Sequence, residues 1–346
     1  MSRKPFYAFT LLIAVLAALG SAGLAQPAPQ FSVQQTWQIG GEGGWDYLTV
    51  DAAAHRLYIG RANRIQVVDT RTGKLAHEIV GLKGVHGVAL DPQGKIGYIS
   101  DGAANTVRVF DRATLQVTAN IAAGENPDAI LFEPATRRVF AFNGRSHSAT
   151  VIDAASNRVL QTIPLPGKPE FAQSDNQGTI YVNIEDQNQI ARINAKTMTV
   201  TALWSIAPCD SPSGLAIDRA QHRLFSVCRN HQMAVVDTAN GKIVATPAIG
   251  SGPDGTRYDA ARHLVFSSNG EGTLTILQQK SADSYVPVQT LTTQRGARTL
   301  ALDRSTGKIY LVTAAFGPPP AASAQNPHPW PSLLPNSFVV LVVGTK

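Results

Sequence analysis

Seven polar residues recur along this chain at a nearly constant interval. They are Asp46, His86, Asp128, Glu170, Ser213, Asp254 and Arg298, separated by 40, 42, 42, 43, 41 and 44 residues. Every one is polar in a chain that is 44% hydrophobic, so composition alone does not produce the pattern. If the fold gathers them, the carboxylates raise one another's pKa or recruit a cation. An oxygen-rich set suits Ca²⁺ or Mg²⁺, and the imidazole of His86 admits Zn²⁺. The candidate metal ligands are therefore Asp46, His86, Asp128, Glu170 and Asp254. Arg298 has a different use, either neutralising the acids or clamping a substrate carboxylate. Polar side chains around a wet channel mouth explain the same pattern without any ligand.

The elements that must position these residues are visible in Val85–Gly124, which reads as four short strands: His86–Asp91, Ile96–Asp101, Thr106–Asp111 and Val117–Ala122. Each run is rich in β-branched and aromatic residues, and Asp/Pro/Gly/Asn clusters separate them. Two combs repeat this unit. First-strand ends fall at Asp51, Asp91, Glu133, Asp175, Asp218, Asp259 and Asp303, and third-strand ends at Asp69, Asp111, Asp153, Asn194, Asp237 and Gln278. A period of about 40 to 45 residues with four strands per copy is the signature of a propeller blade. The sequence therefore predicts an all-β, seven-bladed β-propeller with four-stranded blades. Its seventh copy offers only Arg298–Asp303, Lys308–Thr313 and Ser337–Val343. The missing strand is expected at Phe31–Ile39, which would close the last blade and remove an open edge.

The second strands carry a recurrent motif: Tyr98-Ile99-Ser100-Asp101, Phe140-Ala141-Phe142-Asn143, Phe266-Ser267-Ser268-Asn269, Tyr58-Ile59-Gly60-Arg61 and Tyr310-Leu311-Val312-Thr313. It resembles the Tyr-Val-Thr-Asn repeat of the YVTN, YncE-like β-propeller family. The resemblance implies a seven-bladed propeller in the periplasm or outside the cell, and implies little about chemistry. Trp45-Asp46 is the only Trp-Asp pair and opens a first strand, which argues against WD40 repeats. Glu185 draws attention because its blade, Tyr181-Val182-Asn183-Ile184, breaks the motif where the acid appears. Asn143-Gly144 and Asn269-Gly270 have the form of two-residue hairpin turns.

The ends of the chain carry other signals. Arg3 and Lys4, the apolar run Phe6–Leu19 and Gly23-Leu24-Ala25 read as a signal peptide over residues 1–25. Residues 26–346 then form a single propeller domain with no transmembrane segment, periplasmic or secreted. Cleavage would lower the formal net charge from +6 to +4 by removing Arg3 and Lys4. No stretch clusters Lys and Arg with aromatics, which argues against nucleic acid as a partner. Cys209 and Cys228 are the only cysteines, and in an exported chain such a pair is expected as a disulfide. Residues 314–336 form a Pro-rich insertion in blade seven, expected on the same face as the polar series, where its His328 and Trp330 would overhang the channel.

These observations point to a monomeric binding or scaffold module for a small molecule or protein. Its polar site, at one mouth of the channel, comprises Asp46, His86, Asp128, Glu170, Ser213, Asp254, Arg298 and Glu185. A metal-dependent hydrolase, lactonase or lyase using the same residues is the alternative. No nucleophile elbow, His-Glu-x-x-His or Cys-x-x-Cys motif is present to support an enzyme.

Overall fold

The acidic combs are turn chemistry. Asp51, Asp91, Glu133, Asp175, Asp218, Asp259 and Asp303 each accept a hydrogen bond from a backbone N–H two or three residues onward, at 2.7–3.2 Å. Asp69, Asp111, Asp153, Asn194 and Asp237 do the same at the next hairpin. Short side-chain acceptors of this kind favour a reversal of the chain over continued pairing. Gln278 departs from the comb. Its amide donates to the Arg262 and His263 carbonyls instead, and the strand runs on to Ser281.

The computed structural model describes residues 1–2, 29–321 and 331–345. It contains seven four-stranded antiparallel sheets. Their first strands touch in cyclic order, the last against the first, which makes the assembly a seven-bladed propeller. Blade two comprises Val85–Leu90, Ile96–Asp101, Thr106–Asp111 and Val117–Ala122, within a residue of the expected spans. Blade seven comprises Leu300–Leu302, Ile309–Thr313, Val339–Thr345 and, from the other end of the chain, Phe31–Gln38. Phe31 pairs with Thr345 and Gln38 with Val339, so the expected closure is present. Its third strand starts two residues later than the Ser337 expected. Ser337 is instead a loop residue, its hydroxyl donating to the Leu334 carbonyl at 2.7 Å.

Strand periodicity explains how the blades adhere. Successive residues of a strand face opposite sides, so each blade feeds two seams. Leu57 and Ile59 join a cluster shared with blade seven, whereas Tyr58, between them, joins one shared with blade two. Ile309 and Leu311 face blade six, and Tyr310 and Val312 face blade one. Seven such apolar clusters lie at the seven seams. The closing strand serves both of its seams, Phe31 in one and Trp37 in the other. Burying a side chain of this size is worth roughly 1.5–3 kcal/mol. Among the described residues no helix is long and apolar enough to cross a membrane. The expected signal segment lies almost entirely outside the described residues.

Candidate functional site

The seven polar residues stand at, or within two residues before, the starts of the first strands, and the backbone explains how their side chains are presented. In blades two to six the pairing of first and second strands slips at the start of the first strand, for example between Val85 and Val88 and between Pro127 and Ile130. A β-bulge of this kind redirects a side chain. Here the redirected positions include His86, Asp128, Glu170, Ser213 and Asp254. In four of these blades a proline immediately precedes the polar residue, at Pro127, Pro169, Pro212 and Pro253. Proline has no N–H to give the ladder, and it is tolerated at the first residue of a strand or at a bulge, where none is required.

Neighbouring side chains pin the polar residues' backbones. Asn183 donates to the Ser213 carbonyl at 2.8 Å, Thr299 to the Asp46 carbonyl at 3.0 Å, and Ser268 to the Arg298 carbonyl. The hydroxyl of Ser213 donates to the Pro253 carbonyl at 3.0 Å. In blade one a single arginine does this work. Arg61 is fully buried over the Phe338 ring, 3.6 Å from its centroid, and donates to the carbonyls of Gly41, Glu42, Gly43 and Gly44. It thereby fixes the glycine-rich approach to Trp45, Asp46 and Tyr47. Burial pulls its pKa down to about 10.

The charges sort into three groups. In the first, His86 Nδ1 lies 2.6 Å from Asp46 and 3.5 Å from Asp128. Burial disfavours the imidazolium, but these two carboxylates override it and raise the pKa to about 9. Burial also raises Asp128, to about 6, against the pull of His86. In the second, Lys168 bridges Glu170, at 2.7 Å, and Glu185. Burial and the nearby Asp128 hold Glu170 well above the ordinary carboxylate range. In the third, Arg298 pairs with Asp254 at 2.8 Å, and burial lifts Asp254 to about 6 despite that partner.

The five expected metal ligands therefore divide. Only Asp46, His86 and Asp128 bring ligand atoms within 4.8 Å of one another, while the cations Lys168 and Arg298 take up Glu170 and Asp254. Two carboxylates each facing their own cation gain more than they would by crowding together. Asp128 Oδ1 is buried without a hydrogen-bond partner.

Sequence reasoning passed over Lys168 and Tyr47. Lys168 lies two residues before a polar position, and nothing in its spacing marks it. Tyr47 leaves blade one, crosses the channel and donates to Glu170 of blade four at 3.3 Å. Its ring meets Phe171 edge-on, with centroids 5.1 Å apart, and Arg257 of blade six stacks over Phe171 at 4.9 Å. These three side chains form a waist between blades one, four and six, beside a void of about 40 Å³. Burial, then the carboxylates of Asp128, Glu170, Asp46 and Asp254, push the Tyr47 hydroxyl well above its usual pKa.

Comparison with known proteins supports the architecture alone. No protein-family model matches the sequence, and no curated protein matches it. Among solved structures, the chain resembles one titled crystal structure of RRP9 WD40 repeats, with a TM-score of 0.75 at 11% identity over 92% of this chain and 99% of that one. It resembles the structure of U3-55K similarly, with a TM-score of 0.74 at 10% identity over 91% and 99%. A third, from Kuenenia stuttgartiensis hydrazine synthase, gives a TM-score of 0.67 at 17% identity over 81% and 95%. At these identities the likeness is one of fold.

Around the polar residues lies a pocket of about 710 Å³. Glu170, Glu185, Ser213, Asp254 and Arg298 line it, together with Arg229 and Arg295, and Trp45, Phe316 and Leu333 form an apolar side. The described ends of the insertion pair with each other, Gly317 N–H to Ser332 and Leu334 N–H to Ala315, both at 2.8 Å. They bring Phe316 to within 6.2 Å of Trp45, centroid to centroid. His328 and Trp330, expected over the channel, lie outside the described residues. Trp45 also packs on Phe338 at 5.7 Å, so it is both seam packing and pocket wall.

Cys209 and Cys228 form the expected disulfide, with Cα atoms 5.4 Å apart, on this same face. The two Asn-Gly pairs are not the tight turns expected. Left-handed backbone appears at His147 and Gly272 rather than at Gly144 or Gly270. The side chains of Asn143 and Asn269 turn inward to donate to Thr150 and Thr275, each at 3.0 Å.

Proposed function

We propose that the chain is an exported propeller of the YVTN, YncE-like kind, with residues 1–25 as its leader and 26–346 as one domain. It acts as a binding module at the mouth where the polar residues meet. The observation that carries this reading is the 710 Å³ pocket, in which paired charges of both signs face an aromatic wall. Such a pocket suits a small zwitterion, an amino acid or a peptide end, whose ammonium meets Glu170, Glu185 or Asp254 and whose carboxylate meets Arg298. The disulfide favours an oxidising compartment. Isothermal titration with the free amino acids and short peptides tests the proposal. Binding should be lost when Asp254 and Arg298 are both changed to alanine. If no member of the panel binds, the proposal fails.

A second reading concerns Asp46, His86 and Asp128, favoured by the convergence of their ligand atoms and by the buried Oδ1 of Asp128, which lies 3.5 Å from His86 Nδ1 but accepts no hydrogen bond. These residues would hold a divalent cation, Zn²⁺ ahead of Ca²⁺ because one ligand is nitrogen. Three protein ligands leave coordination positions open, as a metal-dependent hydrolase, lactonase or lyase requires. Elemental analysis of the purified protein, followed by thermal melts with Zn²⁺ and Ca²⁺, decides this. A metal-free protein whose melting responds to neither ion removes the metal and, with it, this enzyme.

A further inference from the structure

The opposite end of the channel, below the Tyr47–Phe171–Arg257 waist, opens into a cavity of about 510 Å³. Arg257 and Arg304 line it with Phe171 and Gln173, and Val50, Ile217 and Leu302 supply apolar surface. Arg219 stands nearby, its guanidinium donating twice to the Ser174 carbonyl, at 2.6 and 3.0 Å.

Elsewhere in the described residues several arginines meet a carboxylate, among them Arg112 with Asp51, Arg137 with Asp91, Arg262 with Asp259 and Arg223 with Asp283. Arg219, Arg257 and Arg304 form no such pair among the described residues. Arg257 has one hydrogen bond, to the carbonyl of Thr256 at 2.7 Å, and rests on the Phe171 ring. One acid, Asp303, also lines the cavity. Asp303 accepts from the backbone and hydroxyl of Ser305, and Asp175 from the backbones of Gln177 and Thr179. Burial, and then the field of Arg304, depress the pKa of Arg257, to about 10, and of Arg219.

With Asp303 as the one carboxylate among the described lining residues, against Arg257 and Arg304 and with Arg219 nearby, the cavity keeps a net positive charge that an anion would complete. A guanidinium stacked on an aromatic ring is also held in place for bidentate contact with an oxyanion. We infer that this cavity is a second binding site, for a small organic anion whose carboxylate or phosphate sits on Arg257 and Arg304 and whose apolar part lies along Val50, Ile217 and Leu302. The waist separates it from the site proposed above, and it does not depend on that reading.

Thermal melts and isothermal titration at constant ionic strength, with benzoate, phenyl phosphate, inorganic phosphate and neutral benzyl alcohol as probes, test the inference. Benzoate or phenyl phosphate should bind and raise the melting temperature, and benzyl alcohol should not. Tighter binding of one over the other assigns the carboxylate or the phosphate as the preferred group. Arg257→Gln and Arg304→Gln should each weaken binding by about tenfold or more, the scale of a lost charge-assisted hydrogen bond. Arg304 is exposed, so its variant remains decisive if Arg257→Gln fails to fold. The inference is overturned if neither organic anion binds, if benzyl alcohol binds equally well, or if Arg304→Gln binds like the wild type.

Discussion

The two ends of one channel are built on opposite electrostatic plans. At the upper mouth every carboxylate of the polar series except Asp128 has a close cationic partner: Asp46 has His86, Glu170 has Lys168 and Asp254 has Arg298. At the lower mouth Arg219, Arg257 and Arg304 have no close carboxylate partner, although Arg112, Arg137 and Arg262 at the same end pair with the turn acids Asp51, Asp91 and Asp259. The difference follows from where each end lies in the repeat. The upper mouth is made where first strands begin, at bulges whose side chains vary from blade to blade. The lower mouth is made where first strands end, and there each blade needs an acid to cap its turn.

Several experiments would break or sharpen this contrast. Removing residues 31–38 should have the largest effect, because Phe31 and Trp37 fill the seams on both sides of blade seven. Truncating one such buried aromatic to alanine, cavity included, typically costs roughly 3–5 kcal/mol. The truncated chain should unfold or associate, losing both mouths together. A monomeric truncation with unchanged melting, by light scattering and calorimetry, would refute the closure.

Replacing Cys209 and Cys228 by serine should cost about 3 kcal/mol, the scale for a loop of this length. The loss should appear in chemical denaturation. Because the disulfide braces only the upper face, anion binding at the lower mouth should persist in the folded variant.

His86 supplies a pH signature. Its folded pKa, raised to about 9 from 6.5, stabilises the protein fully below pH 6.5 and progressively less as the pH rises through 9. In chelator-treated protein this change should be on the order of 3 kcal/mol. The His86→Gln variant should lack that component, as denaturant midpoints between pH 6 and 10 would show. Equal slopes in variant and wild type would remove the Asp46–His86–Asp128 ion pair from the account.

The smallest effect is expected from Tyr47→Phe, which removes the 3.3 Å hydrogen bond to Glu170 but keeps the ring against Phe171. It should cost about 1 kcal/mol and leave titrations at the lower mouth unchanged. A large change there would mean that the waist does not insulate the two ends.

Much of this molecule is legible in one dimension. The blade count, the turn positions and the closing strand follow from local rules: a short acid caps a turn, β-branched and aromatic runs pair, and seven strand sets with one strand displaced must close on themselves. The polar series was legible for the same reason, since equivalent positions of a repeat must arrive at equivalent places. Other features came from contacts between distant blades. The sequence does not show that Lys168 and Arg298 divide the five expected ligands into a three-residue cluster and two ion pairs, because pairing depends on distances across the ring. Tyr47 reads as an ordinary strand residue, yet it spans the channel to a residue 123 positions away. Arg257 and Arg304 have no neighbouring pattern, and their lack of a close carboxylate partner appears only in the distances between blades. The sequence by itself determined the propeller, because its period and turns are local. Tertiary structure alone decided which charges meet and which remain without a partner, because that depends on how seven copies with different side chains converge on one axis.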